Sequence, residues 1–143
     1  MVFIRPHVRE LMLKDAVQAF PDECCGFLFG HEVGDDRILT DIQIVVNAKE
    51  GDKRRRFEIM PKDYLKAEQY ALDRDLTLLG VYHSHPNHPA IPSEHDRVAA
   101  QPYFSYIIVS VYEGAIKDIR SWRLNDDQQF EKETIGEHAH ASG

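Results

Sequence analysis

Cysteine is nearly absent: the 143 residues hold two, Cys24 and Cys25, adjacent in sequence. Neighbours cannot staple distant segments, and they lack the Cys-x-x-Cys spacing of redox or zinc-knuckle sites. Both are expected as buried thiols in a strand, since free cysteine is among the most buried residue types. Long hydrophobic runs are missing too. No stretch approaches the roughly 18 to 20 apolar residues of a membrane span, and Met1 to Pro6 lacks the apolar core of a signal peptide. A cytoplasmic protein with no membrane partner is expected. Basic charge is scarce, with 17 Lys plus Arg against 24 Asp plus Glu and a net charge of -7. That balance repels a phosphate backbone unless the bases gather on one face, so nucleic acid is not the expected partner. No internal repeat is visible, and the length suits one domain.

The pattern of apolar residues then predicts the elements. Val8, Leu11, Met12, Ala16, Ala19 and Phe20 recur at helical steps after Pro6, so residues 6–20 read as an amphipathic helix closed by Pro21. Residues 24–29 and 37–46 read as two strands joined by Gly34-Asp35-Asp36. Residues 47–56 carry no apolar period and end in Lys53, Arg54, Arg55 and Arg56, a solvated loop whose bases could dock an acidic partner. A short strand is expected at 57–60. Pro61 then opens a second helix with an inner face of Tyr64, Leu65, Glu68, Ala71 and Leu72. Residues 76–82 form a near-continuous apolar strand, 93–100 a short helix capped by Ser93, and 104–112 with 115–124 a hairpin across Glu113-Gly114. The domain is thus expected over 1–124. Residues 125–143 read as a polar, acidic tail, frayed at His138, Ala139 and His140.

Histidine is concentrated: four of the 8 (His83, His85, His88 and His95) fall within thirteen positions. Alternate residues of a strand share a face, so His83 and His85 can turn two imidazoles to one ion where the apolar strand ends at Pro86. Asp96, one helical turn beyond Ser93, could add an oxygen ligand. Two histidines and a carboxylate leave an open position, as catalytic zinc sites do, and a water there has its pKa lowered to about 7. Ser93-x-x-Asp96 taken alone also reads as a helix capping box. A hydrolase needs a carboxylate to move the proton of the attacking water, and Glu23, at the start of an apolar strand, is one acid among 24. His88 and His95 read as solvated loop side chains.

These residues resemble the JAMM, or MPN-plus, family of zinc metalloproteases. Its signature is an upstream Glu, then His-Ser/Thr-His-Pro, about six residues, and Ser-x-x-Asp. Here it reads Glu23, His83-Ser84-His85-Pro86 and Ser93-Glu94-His95-Asp96. Glu23-Cys24-Cys25-Gly26-Phe27-Leu28-Phe29-Gly30 is similar to the family's first strand as well. The resemblance implies a single compact α/β domain, cytidine-deaminase-like, with a curved, mixed, mostly antiparallel sheet flanked by helices. It implies one zinc ion held by His83, His85 and Asp96, Glu23 as general base, and Ser93 as hydrogen-bond donor to the oxyanion. Ser84, on the opposite face of the strand, is expected to pack or to bond backbone. The short bacterial branch implies a small ubiquitin-like sulfur-carrier protein as substrate, cleaved after its Gly-Gly end to release cysteine or a C-terminal extension.

Three other functions compete with this one. A true isopeptidase on another substrate would need insertions for gripping ubiquitin, for which the chain looks short. A non-catalytic interaction module of the same fold would have lost ligands that are complete here. A zinc nucleobase deaminase needs a Pro-Cys-x-x-Cys that the sequence lacks.

Overall fold

Val8, Met12 and Ala16 form the buried stripe of helix α1 (Pro6–Ala19) in the computed structural model, which describes residues 1–53 and 57–136. A short strand, β1 (Val2–Ile4), precedes that helix. The hairpin expected around Gly34 is β2 (Cys25–Val33) with β3 (Asp36–Val45). Helix α2 (Pro61–Asp73) leads into β4 (Thr77–Pro86), then come α3 (Glu94–Ala99), β5 (Ser105–Tyr112) and β6 (Ala115–Leu124). Glu113 and Gly114 both hold positive φ, 51° and 81°, which is the turn geometry that joins two strands in two residues.

The sheet runs β6-β5-β4-β2-β3-β1, with β4 parallel to β5, β1 parallel to β3, and antiparallel pairs elsewhere in that row. One face packs on α1 through Leu28, Leu39, Leu79 and Tyr82, the other on α2 through Phe27, Phe29 and Val81. Burial on both faces explains why β4 reads as a continuous apolar run, and side chains alternate along it. Tyr82 turns to α1 and donates to Asp15 at 2.8 Å, while His83 turns the other way and stacks on Phe57. Both cysteines are free and buried, Cys25 within β2 and Cys24 just before it. Gly26 lets β2 lie close to its neighbours, because a Cβ there would meet the Tyr82 ring and the Gln43 carbonyl at 2.4 Å.

Three expectations change. Residues 57–60 form no strand: a single backbone bond, Ala48 N–H to Glu58 O at 3.1 Å, links them to the other arm of their loop, and Phe57 is spent on His83. On α2, Leu65 and Leu72 are 72% and 76% exposed and Glu68 is exposed, whereas Ala67 and Ala71 are buried. Small residues let the helix approach the sheet, and Tyr64 and Tyr70 close the contact against Phe27 and Phe29 at ring separations of 5.1 Å and 4.8 Å. Part of the stretch read as a tail joins the sheet, as β7 (Phe130–Glu133) beside β6 and β8 (Ile135–Gly136) beside β1. One short segment therefore pairs with both edges, curving the sheet almost into a barrel. Edge strands with one wet face tolerate the polar sequence that made this stretch look unstructured. His138, Ala139 and His140 lie outside the described residues. Among the described residues no helix is long and apolar enough to cross a membrane.

Candidate metal and catalytic site

The end of β4 brings the motif together. Cys25 pairs with His83, which sets Glu23, two residues before Cys25, beside His85 on the same sheet face. The loop after Pro86 is pinned three times: His85 Nδ1 donates to Pro89 O at 2.8 Å, Ser110 Oγ to His88 O at 2.5 Å, and Trp122 Nε1 to Ala90 O at 3.0 Å. These bonds fold α3 back over the histidines. Its Ser93 Oγ accepts from Asp96 N at 3.1 Å, and Asp96 Oδ2 accepts from Ser93 N at 2.9 Å, so the capping box is present. The same Asp96 oxygen lies 3.2 Å from His85 Nε2 and 3.4 Å from His83 Nε2.

The two histidine Nε2 atoms are 3.1 Å apart, so His83, His85 and Asp96 offer a triangle of donor atoms with edges of 3.1, 3.2 and 3.4 Å. Tetrahedral zinc with bonds of about 2.0 to 2.1 Å needs ligand atoms about 3.3 to 3.4 Å apart, which these residues fit within the usual tolerance. The Pro89 carbonyl can only accept, so His85 carries a hydrogen on Nδ1 and presents Nε2 to the centre, the atom a metal would take. His83 has no such partner on Nδ1 among the described residues; its ring is held by Phe57, stacked at 4.5 Å. Glu23 reaches the same centre, its carboxylate oxygen and the two histidine nitrogens lying within 4.8 Å of one another. Glu23, His83 and His85 are all buried and could themselves hold a metal ion.

Residues 5–125 match the family described as prokaryotic homologs of the JAB domain. The chain belongs to that family. A CysO-cysteine peptidase of Mycobacterium tuberculosis is 32% identical over 127 residues, covering 88% of this chain and 84% of its own. A desampylase of Pyrococcus furiosus is 35% identical over 95 residues, 66% of this chain and 63% of its own. A solution structure from Desulfitobacterium hafniense matches with a TM-score of 0.84 at 31% identity, covering 96% of this chain and 92% of that one. A JAB1/MPN domain protein of Archaeoglobus fulgidus shares the fold, with a TM-score of 0.58 at 20% identity over 96% of this chain and 98% of its own.

In this JAB-family site the two carboxyls are driven apart. Burial, then the charges of Asp96 and Asp52, push Glu23 up to about 9. Asp96 is also buried, but its contacts with His83 and His85 and the bond from the Ser93 backbone outweigh burial and hold it well below the usual carboxylate range. Burial lowers the His83 pKa against the pull of Asp96, favouring the neutral ring a metal requires. Two carboxyls of opposite tendency suit one fixed anion and one proton carrier.

The site lies between two clefts. One of about 380 Å³ is walled by Phe57, Ile59, Tyr64, His83, Asp96 and Tyr106. The other, about 410 Å³, is lined by Glu23, His85, Pro89, Ile91 and Ser93. His88 is exposed and lines the second, and exposed His95 lines the first. Ser84 faces away and accepts from Cys24 N at 2.8 Å. Of the basic run, Lys53 meets the site through its backbone, its carbonyl accepting from Glu23 N at 2.6 Å; Arg54, Arg55 and Arg56 lie outside the described residues. Sequence reasoning missed Asn47 and Phe57, which sat in an apparent loop and an apparent strand. The only signal was an Asn directly after a strand, a common turn residue.

Proposed function

We propose that the chain is a zinc peptidase that hydrolyses the peptide or isopeptide bond after the Gly-Gly end of a small ubiquitin-like sulfur-carrier protein. Release of cysteine or of a short C-terminal extension is the expected reaction. The observation that carries this reading is the convergence of His83, His85 and the Asp96 oxygen into one triangle with the buried Glu23 alongside. The names of the relatives, a CysO-cysteine peptidase and a desampylase, support the substrate class.

His83, His85 and Asp96 would hold the zinc. When bound, zinc polarises the scissile carbonyl and makes water a nucleophile near neutral pH. Glu23 accepts the proton of the attacking water and passes it to the leaving nitrogen; burial, Asp96 and Asp52 favour its protonated form in the metal-free site, and a cation held beside it would favour the carboxylate a base requires. Ser93 Oγ accepts from Asp96 N and keeps its own hydrogen to donate to the oxyanion, charge that develops only as the carbonyl is attacked. An extended Gly-Gly tail is narrow enough to lie across the site from one cleft to the other.

The test is incubation of the zinc-loaded protein with a ubiquitin-like carrier bearing cysteine or a short extension after Gly-Gly, read by intact mass. A single product ending at Gly-Gly, lost with chelator and restored by zinc, is expected. A carrier left whole by fully loaded protein would overturn the proposal.

A further inference from the structure

Glu23 lies before the first residue of β2, outside the strand ladder, so its own backbone groups need partners elsewhere. Both are found on the loop that follows β3. Glu23 N donates to Lys53 O at 2.6 Å, and Glu23 O accepts from Asn47 Nδ2 at 3.1 Å. The other end of the Asn47 amide gathers the two arms of that loop. Asn47 Oδ1 accepts from Lys49 N and from Glu58 N, each at 3.0 Å. Glu58 adjoins Phe57, whose ring backs His83, and Lys49, Phe57 and Glu58 all line the cleft beside His83 and Asp96. One planar group thus ties the backbone of Glu23 to the wall of the cleft. The task needs a donor and an acceptor on the same short side chain, which among the residues of this length only asparagine supplies.

We propose that Asn47 is a positioning residue for the hydrolysis, fixing Glu23 and the Phe57–Glu58 wall of the cleft in one geometry. The inference rests on Glu23 acting as the base. Asn47 touches no reacting atom, so its effect must pass through Glu23 and through the wall. A misplacement of about 1 Å in such a group costs on the order of 100-fold in rate, which sets the scale.

Asn47→Asp decides the matter, because it keeps the acceptor for Lys49 and Glu58 and sets an oxygen against the Glu23 carbonyl. Its kcat on the carrier should fall by about 10-fold to 100-fold while KM moves less than about threefold. Zinc content and melting temperature should stay near the wild-type values. Asn47→Ala, which also frees the wall, should add a rise in KM. In a Glu23→Gln background the same Asn47→Asp change should cost almost nothing further, since residues acting as a unit are non-additive. Equal losses in both backgrounds, or an unchanged kcat in Asn47→Asp, would overturn the positioning role. Full turnover by Glu23→Gln alone would instead remove Glu23 as base, and the positioning role with it.

Discussion

Asp96 Oδ2 accepts the Ser93 amide at 2.9 Å and turns the same oxygen to His85 at 3.2 Å. Capping the helix and facing the metal site are therefore one arrangement: the cap fixes the rotamer that aims the carboxylate. Ser93→Ala separates the hydroxyl from the amide. It removes the Oγ that accepts from Asp96 N, which should cost about 1 kcal/mol of stability, and leaves the backbone bond to Oδ2 in place. Zinc should stay bound while kcat falls on the order of 100-fold to 1000-fold, as for other oxyanion donors. A variant with normal turnover would assign Ser93 to the cap alone.

Glu23 makes the stability of the metal-free protein depend on pH. Its carboxyl is ordinarily near 4.5 and is raised to about 9 by burial, then by Asp96 and Asp52. Between those values the folded chain holds a proton that the unfolded chain has released. The stability this contributes is complete below the lower value and is lost as pH rises through the upper. Glu23→Gln has no such proton to lose. In chelator, the melting temperature of the variant relative to wild type should rise steadily from pH 5 to pH 9. A constant difference would mean that the carboxyl titrates normally.

The proposed docking of an acidic carrier by the basic run Lys53, Arg54, Arg55 and Arg56 is tested by charge reversal. Reversal of its charges should raise KM for the whole carrier, more at low salt than at high, because steering between exposed charges is screened. A short peptide ending in the same bond should be cleaved as before. Equal losses on both substrates would trace the effect to Glu23, whose backbone rests on the Lys53 carbonyl.

Much of this was legible in the sequence, for identifiable reasons. α1 could be read from its helical period, β4 from its continuous apolar run, and His83-x-His85 because a strand repeats every two residues. The inner face of α2 was misread because hydrophobicity favours Leu65 and Leu72, whereas close approach to Phe27 and Phe29 favours Ala67 and Ala71. The edge strands near the C-terminus escaped because pairing with β6 and β1 is a long-range event that a polar segment does not announce. Glu23 needed the resemblance, since burial, and not residue type, is what distinguishes it from other acids. Asn47 and Phe57 needed the fold itself, because they act through residues more than twenty positions away.

Zinc content measured by elemental analysis on reconstituted protein tests the ligand set most directly. Wild type and Glu23→Gln should each carry about one zinc per chain, and His83→Ala and Asp96→Ala should carry almost none. No zinc in the wild type would contradict the metal site outright. Zinc lost from Glu23→Gln and kept by Asp96→Ala would make Glu23, His83 and His85 the ligands and leave the hydrolysis without its base.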